Sequence, residues 1–362
     1  MLSPYTIRAS LTAFAIDIAL DESLPTVTKH LVNDSRKLAK GDVFCALVGH
    51  QQDGRDYIRQ AIDAGAGLVI AQCQYRHQHG NLSWQTVSRS STTGEQSDKI
   101  AIIEFYQLDH HLFAFANHYY QQPQAHLSMI GITGTNGKTS ICQLIARLLE
   151  HNGKQAAVIG TNGNGRLDAL TSTLNTTPAA TYLHQLLTEY IDQGISHVAM
   201  EVSSHALSQG RVSAELFAIA VYSNLSHEHL DYHKTMKNYA AAKRQIFSGH
   251  KHQMAILNGD DKYSQLWLTD WPQEQDYLVY GRSAAIKHYA KYLYASNIVH
   301  HSHGVSFTLQ MMDASIEVKS SLMGDFNIDN LLAAIAVLYV QGISLTDIVA
   351  AVSSLSPVIG RM

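Results

Sequence analysis

The pattern of apolar and polar positions divides the chain into two stretches, and the first contains alternating predicted strands and helices. Continuous apolar runs at 43–48 and 67–72 predict buried strands, and the patterns over 56–65 and 108–120 predict helices. The segment 77–99 is rich in Ser, Thr, Gln and His and has no periodicity, so a surface loop is predicted there.

The second stretch also alternates strand-like and helix-like segments, which is typical of a mostly parallel sheet with helices on both faces. The predicted strands are Ser128–Thr133, Ala156–Gly160, His197–Val202, Phe217–Ser223 and Met254–Asn258, then Tyr277–Tyr280, Ser306–Met311 and Ser315–Ser320. The predicted helices are Thr139–His151, Ala179–Gln193, Tyr239–Phe247, Asn327–Gln341 and Ser344–Leu355. We therefore predict an α/β protein with a small N-terminal α/β domain (1–122), a central domain (123–357) and the start of a linker (358–362).

Composition supports packed domains and excludes several classes of protein. The 362 residues are 46% hydrophobic and 15% charged, which excludes a mainly disordered chain. The net charge of −4 is not the basic footprint of a nucleic-acid-binding protein. Apolar runs such as Leu331–Val340 are shorter than the ~18 residues of a membrane span. Met1–Tyr5 has neither a basic cluster nor an apolar core, so neither export nor a bilayer anchor is expected. Three scattered cysteines favour a reducing cytosol, so we expect a cytoplasmic protein. We also expect a monomer with no nucleic-acid or membrane partner.

The sharpest local signal is a glycine-rich turn between an apolar strand and an amphipathic helix. The turn reads Gly134-Thr135-Asn136-Gly137-Lys138-Thr139-Ser140 and follows the strand Ser128–Thr133. Backbone N–H groups of such a turn surround phosphate oxygens, while the helix N-terminus and the lysine add positive charge and the threonine hydroxyl binds Mg²⁺. The usual G-x-x-x-x-G-K-[ST] spacing is not met, because Ile132 stands where the first glycine belongs. The strand–turn–helix context nevertheless predicts an ATP phosphate loop.

Polar residues follow two further predicted strands. Glu201 ends the strand at 197–202, and Asn224 opens a polar segment that runs to His233. Ligands of parallel sheets bind beyond the carboxyl ends of the strands, and a carboxylate there suits Mg²⁺. The His227-x-His229 and His229-x-x-x-His233 spacings lack a third ligand, so zinc is not favoured. Lys243 by itself is indistinguishable from an ordinary lysine on a helix surface.

Taken in order, these segments resemble the Mur ligase family of peptidoglycan synthesis, and within it the MurE branch. The resemblance spans essentially the whole chain. Its anchors are Asp34-Ser35-Arg36, Gly49–Gly54, Thr133–Thr139, Asn175-Thr176-Thr177, Glu201–His205, Gln209, Arg211, His229–His233, Ala241-Ala242-Lys243, Gly324–Asn327, Asn330 and Gly360-Arg361.

The resemblance implies an activity and its substrates. Family members use ATP to convert the carboxylate of a UDP-sugar-linked peptide into an acyl phosphate, which an incoming amine attacks. The MurE branch extends UDP-N-acetylmuramoyl-L-alanyl-D-glutamate with a diamino acid, and meso-diaminopimelate is expected here rather than L-lysine. The implied partners are therefore UDP-muramoyl-dipeptide, ATP and the diamino acid, with Mg²⁺ as cofactor. The implied fold is a UDP-binding domain followed by a P-loop ATPase-like domain.

The resemblance also assigns roles to individual residues. Ser35, His50 and Gln51 match positions that hold the uridine end of the substrate. Thr176, Thr177, Ser203, Gln209 and Arg211 match positions that bind the muramoyl-peptide. Gly134–Ser140 matches the ATP phosphate loop, and Asn327 matches a position near the adenine. Thr139, Glu201, His229 and Lys243 as its carbamate match the metal ligands, and Lys138, Glu201, His229 and Lys243 match the catalytic residues.

Two departures leave alternatives open. Glu228 stands where the family commonly has Asp, which keeps the carboxylate. The family also has a C-terminal domain that closes over ATP and selects the amino acid, and the chain is expected to stop at the hinge before it. The rival hypothesis is therefore a non-catalytic fragment that binds UDP-sugar and nucleotide. A folylpolyglutamate synthetase is disfavoured, because Asp34–Arg36 and Gly49–Gly54 fit a UDP site.

Overall fold

The computed structural model describes residues 7–19, 22, 24–25, 28–49, 52–91, 94–173, 175–312 and 314–355, with the backbone alone for 88–91 and 94–97. The helices are α1 (Ile7–Ala13), α2 (Ile58–Asp63), α3 (Leu108–Tyr119), α4 (Lys138–His151), α5 (Ala180–Asp192), α6 (Ser204–Ser208), α7 (Leu230–His233), α8 (Met236–Arg244), α9 (Lys262–Leu268), α10 (Asp325–Val340) and α11 (Leu345–Ser353). The strands are β1 (Leu31–Val32), β2 (Val43–Ala46), β3 (Leu68–Cys73), β4 (Leu82–Ser91), β5 (Gly94–Tyr106), β6 (Ser128–Thr133), β7 (Ala156–Gly160), β8 (Gly163–Gly165), β9 (His197–Glu201), β10 (Ile219–Tyr222), β11 (Met254–Asn258), β12 (Tyr277–Gly281), β13 (Tyr292–His301), β14 (Gly304–Met311) and β15 (Ala314–Ser320).

Contacts between Cα atoms divide the chain into two compact units. The first unit runs to Ala125 and includes Pro178–Asp192, and the second comprises His126–Thr177 together with the chain from Gln193 onward. The units differ from the predicted domains 1–122 and 123–357 because the α5 segment packs with the N-terminal unit. His184 of α5 contacts Phe113 of α3 edge-on, with ring centroids 4.8 Å apart. The predicted linker 358–362 lies outside the described residues.

The first unit has a five-stranded sheet in the order β1-β2-β3-β5-β4 among its described residues. Strands β1, β2, β3 and β5 run parallel, and β4 pairs antiparallel with β5. The predicted surface loop at 77–99 is therefore wrong, because most of that segment forms β4 and the start of β5. The polar side chains of this segment show no strand pattern. It is ordered by antiparallel pairing between β4 and β5, which a local sequence pattern does not reveal.

In the part of the second unit that the structure describes, ten strands form one sheet in the order β15-β14-β13-β12-β11-β10-β6-β9-β7-β8. Neighbouring strands from β13 through β7 run parallel, and antiparallel strands flank them on both sides. Strand β7 is buried at every position, which is typical of parallel strands covered on both faces. The predicted α/β class with a mostly parallel central sheet is confirmed.

A helical layer closes one side of this sheet. Helix α4 and the later helices α10 and α11 share one hydrophobic core with the sheet. Helix α10 has buried residues all around its circumference, as expected for a helix enclosed by other elements. This packing fixes both ends of the turn between β6 and α4, on which the candidate site is built.

Candidate active site at the carboxyl edge of the central sheet

The glycine-rich turn lies where the sequence places it, between β6 and α4. Strand β6 ends at Thr133, and α4 begins at Lys138 after Gly137, whose φ of +87° suits a residue without Cβ. A Cβ on Gly134 would overlap the Ser223 hydroxyl, so the turn and the end of β10 approach each other closely because Gly134 has no side chain. The predicted strand–turn–helix arrangement is thus present.

The segment after β10 holds the turn in shape. The Asn224 carbonyl accepts a hydrogen bond from the Thr135 N–H at 2.8 Å, and the Asn224 side-chain oxygen accepts one from the Asn136 N–H at 2.9 Å. The Ser223 hydroxyl donates to the Asn136 carbonyl at 2.6 Å. Ser226 N–H donates to the Thr135 hydroxyl at 3.0 Å. The sequence indicates a polar strand end here but predicts no role for Ser223, Asn224 or Ser226.

Lys138 folds back over the turn that precedes it. Its Nζ donates to the carbonyls of Gly134 at 2.9 Å and Thr135 at 2.8 Å. Burial lowers the pKa of Lys138, and the nearby carboxylates of Glu201 and Glu228 partly offset this effect. A cation bonded only to neutral carbonyls retains a strong attraction for an incoming anion.

Lys243 reaches the same turn from α8. It is 1% exposed, its Nζ donates to the Gly134 carbonyl at 2.7 Å, and the same Nζ lies 4.7 Å from the centre of the Tyr239 ring. Burial, followed by repulsion from Lys138, places the pKa of Lys243 well below its ordinary value. The structure therefore distinguishes Lys243 from an ordinary surface lysine, which the residue pattern alone did not.

Glu201 ends β9, the strand beside β6, and pairs in register with Ile132. The side chain is 2% exposed. Its Oε1 accepts from the Thr161 N–H at 2.8 Å, and its Oε2 accepts from the Thr161 hydroxyl at 3.2 Å. A buried carboxylate is thus fixed at the edge of the sheet that carries the turn. Thr161 was not singled out from the sequence.

Predicted metal ligands are only partly assembled. His229 is exposed, has a φ of +55° and precedes α7. Its ring lies 5.0 Å from that of His205 and 5.9 Å from that of Tyr239, but no contact joins it to Glu201. The described residues contain no cluster of three His, Cys, Asp or Glu placed to hold a metal. Glu201 and the unbonded hydroxyl of Thr139 nevertheless fit Mg²⁺, which binds proteins through one or two oxygen ligands together with substrate phosphates.

Two of the predicted peptide-binding residues, Thr177 and Ser203, lie at the end of β9. Thr177 is buried, donates to the Glu201 carbonyl at 2.9 Å and accepts from the Ser203 N–H at 3.1 Å. Ser203 caps α6 by accepting from the Ala206 N–H at 3.1 Å, so part of its bonding capacity serves the helix. Gln209 is exposed at the end of α6.

Arg211 reaches the same region with an incomplete set of partners. Its Nη1 donates to the Thr177 carbonyl at 2.8 Å, while its buried Nε has no hydrogen-bond partner. Burial lowers the pKa of Arg211. A guanidinium with an unsatisfied buried donor is suited to a carboxylate or phosphate group.

Two asparagines begin α10. Asn327, the predicted adenine neighbour, uses its amide to donate to the Met323 carbonyl at 2.7 Å. Asn330 is buried, and its side-chain oxygen is so close to Gly137 that a Cβ there would overlap it. The family resemblance includes Asn330 without implying a role for it, and the structure places its side chain against the turn.

The predicted uridine contacts belong to the first unit. Ser35 opens a short 3-10 helix that Asp34 caps, and its hydroxyl donates to the Gln60 side chain at 3.4 Å. His50 and Gln51 lie outside the described residues. The uridine assignment therefore stays a prediction for all three residues.

Comparison with known proteins identifies the family. The profile described as "Mur ligase middle domain" matches residues 132–338, and the one described as "Mur ligase family, catalytic domain" matches 28–120. A UDP-N-acetylmuramoyl-L-alanyl-D-glutamate–2,6-diaminopimelate ligase of Vibrio vulnificus is 40% identical over 91% of this chain, and one of Haemophilus influenzae is 36% identical over 92%. The chain spans 63% and 65% of the length of these relatives.

Solved structures agree in fold. A structure of a UDP-N-acetylmuramoyl-L-alanyl-D-glutamate–2,6-diaminopimelate ligase matches with a TM-score of 0.78 and 30% identity, covering 99% of this chain and 68% of that one. A MurF structure from Acinetobacter baumannii matches with a TM-score of 0.68 at 18% identity over 99% of this chain and 70% of that one, which shows the shared fold alone. Since the middle-domain profile covers more than half of the sequence, the chain belongs to the Mur ligase family.

Proposed function

We propose that the chain carries the nucleotide-binding and peptide-activating part of an ATP-dependent ligase of peptidoglycan synthesis. The reaction joins meso-diaminopimelate to UDP-N-acetylmuramoyl-L-alanyl-D-glutamate through an acyl phosphate. The names of relatives at 36–40% identity support this choice over L-lysine. Through that product the chain would contribute to cell-wall formation, cell shape and division.

One observation carries the proposal: the half-buried Lys138 and the buried Lys243, from different helices, converge on one carbonyl of the glycine-rich turn. Lys138 and Lys243 both donate to the Gly134 oxygen, and neither has a carboxylate within salt-bridge distance in the described part of the chain. The Lys138 ammonium has no counter-ion at this distance, which costs free energy that an anionic ligand offsets. Burial and the nearby Lys138 lower the pKa of Lys243, so its amine loses a proton more easily than an ordinary lysine. A nucleotide triphosphate wrapped by the turn supplies that anion.

The chemistry follows from where charge develops. An oxygen of the peptide carboxylate attacks the γ-phosphorus of ATP, ADP leaves, and an acyl phosphate forms. The amine of the diamino acid then attacks the acyl carbon, phosphate leaves with the bonding electrons, and the nitrogen loses a proton. Both steps build negative charge beside Lys138 and the N-terminus of α4, which stabilise it. Arg211 orients the anionic peptide through its unsatisfied Nε–H.

Metal binding would complete the site. Thr139, Glu201, His229 and Lys243 as its carbamate are the proposed Mg²⁺ ligands, and the ion when bound would neutralise the phosphate oxygens. The lowered pKa of Lys243 favours the neutral amine, which is the form that adds to CO₂ with loss of a proton. The resulting carbamate turns a cation into an oxygen ligand.

Two further inferences concern the setting of the reaction. The three cysteines are free and buried, in agreement with a reducing compartment, so we place the reaction in the cytoplasm. None of the described helices has the length and apolar content needed to cross a bilayer. We propose a monomer, since the predicted site residues come from one chain.

The activity is tested by phosphate release. UDP-muramoyl-dipeptide, ATP and meso-diaminopimelate are incubated with the chain, and again after addition of the remaining C-terminal third of the Vibrio vulnificus relative. We expect phosphate and tripeptide in equal amounts in the second mixture, and less of both when L-lysine replaces diaminopimelate. Binding of UDP-muramoyl-dipeptide without turnover in both mixtures would favour the alternative, a non-catalytic binding fragment.

The role of Lys243 gives a sharper test in whichever mixture turns over. Lys243→Ala should abolish phosphate release, because the carbamate has no amine on which to form. High bicarbonate should not restore the variant, whereas short carboxylic acids that occupy the vacated space should restore part of the activity. Lys237→Ala, an exposed lysine on the same helix, is the matched control. Normal turnover by Lys243→Ala would refute the metal-bridging role.

A further inference from the structure

We propose that Thr161 is a positioning residue that orients the Glu201 carboxylate and, through the same hydroxyl, makes Thr176 a hydrogen-bond acceptor towards the peptide substrate. The proposal rests on the proposed function, since it names how one part of that site recognises its substrate. The contacts of Thr161 with Glu201 and with Thr176 cannot be inferred from the sequence, because the three residues lie on separate segments.

Thr161 bonds the carboxylate at both of its oxygens. Its N–H donates to Oε1 at 2.8 Å and its hydroxyl donates to Oε2 at 3.2 Å. The residue directly follows β7, so the strand fixes the N–H while the hydroxyl fixes the rotation of the carboxylate plane. Hydrogen bonds to a charged group are among the stronger ones in proteins.

The preceding residue explains why the carboxylate fits there. A Cβ on Gly160 would overlap the Glu201 Oε1 and its carboxyl carbon. The end of β7 therefore offers Glu201 a space without a side chain, followed at once by two donors. This arrangement leaves one orientation for the carboxylate.

The hydrogen bond from Thr161 to Glu201 also determines which way the bond between Thr161 and Thr176 runs. The Thr161 hydroxyl oxygen lies 3.0 Å from that of Thr176. An ionised carboxylate only accepts, so the single Thr161 hydroxyl proton points to Glu201. Thr176 must then donate its own proton to Thr161. Its oxygen retains lone pairs but has no proton left for a ligand.

This arrangement defines what Thr176 can recognise. It offers an acceptor to an N–H or O–H donor of the muramoyl-peptide, such as a peptide amide, and it disfavours a second carboxylate or phosphate oxygen at the same place. Arg211 provides the complementary site for anionic groups, since its Nη1 is anchored on the Thr177 carbonyl and its Nε is unsatisfied. Thr176 would therefore bind a hydrogen-bond donor of the substrate, and Arg211 would bind an anionic group.

Two pairs of variants test the proposal in the whole chain. Thr161→Val keeps the shape and the backbone N–H but removes the hydroxyl, and Thr161→Ser restores it. With ATP present, Mn²⁺ binding measured by electron paramagnetic resonance should weaken roughly fivefold in Thr161→Val and return to within about twofold of wild type in Thr161→Ser. ATP affinity in the presence of EDTA should not change in either variant, which a general structural defect would not predict.

For Thr176, calorimetry with UDP-N-acetylmuramoyl-L-alanyl-D-glutamate gives the second readout. Thr176→Val should weaken binding roughly fivefold, Thr176→Ser should retain it, and Mn²⁺ binding should be unaffected in both. The double variant Thr161→Val/Thr176→Val should lose less substrate affinity than the product of the single losses, because the two hydroxyls act as one chain.

A crystal structure of ligand-free Thr161→Val separates this inference from the proposed function. We expect the Glu201 carboxylate to rotate away from its wild-type position and Thr161→Ser to keep it. An unmoved carboxylate in Thr161→Val, or equal Mn²⁺ affinities of Thr161→Val and wild type, would overturn the positioning role. If the carboxylate moves but wild type binds neither Mn²⁺–ATP nor the UDP-peptide, the positioning stands and the proposed ligase function fails.

Discussion

The two units differ in the surroundings of the cations at their predicted ligand sites. In the first unit, Arg36 and Arg55 each pair with an aspartate two residues earlier, at 2.8 and 2.6 Å, and all four side chains reach solvent. In the second unit, Lys138 and Lys243 are largely or fully buried and bond backbone carbonyls of the turn. The arginine–aspartate pairs are neutral overall, whereas the Lys138 ammonium has no carboxylate partner among the described residues.

The difference separates loop formation from ligand recognition. Hydrogen bonds from the arginines lower the pKa of Asp34 and Asp53, and both aspartates also cap short 3-10 helices. These pairs shape the segments that resemble a UDP site. In the second unit, burial lowers the pKa of both lysines because nothing compensates their charge fully. Uncompensated buried charge is a common property of functional sites.

The largest expected effect comes from removing one of the uncompensated charges. Lys138→Ala should weaken ATP binding by at least about 100-fold, because the turn then lacks its phosphate-binding cation. The free energy of unfolding of the ligand-free chain should not decrease, since a buried ammonium without a counter-ion is no longer desolvated. Calorimetry with ATP and thermal unfolding without it measure the two effects.

Lys154→Ala, at an exposed lysine after the same helix, is the matched control and should change neither quantity. A Lys138→Ala variant that binds ATP like wild type would show that the turn is not the nucleotide site. A variant that loses both ATP binding and much of its stability would show that Lys138 is mainly structural.

The sequence predicted the second unit better than the first for a physical reason. Strands β6, β7 and β11 are short apolar runs bounded by turns, and the structure has them at the predicted residues. The segment 77–99 is mostly polar, and β13 has four polar residues among its ten and is exposed at its last three positions. Pairing with a neighbouring strand orders them, and local patterns do not record that pairing.

The candidate site likewise contains residues that a local sequence pattern predicts and residues that it does not. Gly134–Thr139 was predicted because a phosphate loop needs several residue types in a fixed order. Thr161, Asn224 and Asn330 are single polar residues whose role depends on distant partners: Glu201, the backbone of Asn136 and Gly137 respectively. No spacing rule in one sequence identifies such contacts.

A second buried nitrogen base sharpens the contrast between the units. His184 of α5 is fully buried, donates through Nδ1 to the Ala180 carbonyl at 2.8 Å and has no partner for Nε2. Burial lowers the pKa of His184 to about 4. Burial lowers the pKa of His184 as it does that of Lys243, but His184 packs against Phe113 in a core and belongs to no candidate ligand site.

The expected consequence is a loss of stability in acid. The unfolded chain binds a proton to this histidine below pH ~6.5 and the folded chain does so only below about 4, so the free energy of unfolding falls as pH decreases through this window. At pH 5 this effect lowers the free energy of unfolding by about 2 kcal/mol relative to neutral pH. Chemical denaturation of wild type and His184→Leu between pH 5 and 8 isolates it. Parallel pH profiles for the two proteins would show that His184 does not titrate in this way.

The smallest expected effect tests the satisfied pairs of the first unit. Arg55→Ala should change the affinity for UDP-muramoyl-dipeptide by less than about twofold, because the Asp53 carboxylate already neutralises this guanidinium and exposed pairs contribute little to stability. Asp53→Asn keeps a side chain able to cap the 3-10 helix while freeing the arginine, so affinity for the diphosphate should stay equal or rise. Calorimetry with UDP-muramoyl-dipeptide and, separately, with UDP measures both variants. A tenfold loss in Arg55→Ala would mean that the pair opens on binding and that the first unit, like the second, presents a cation to its ligand.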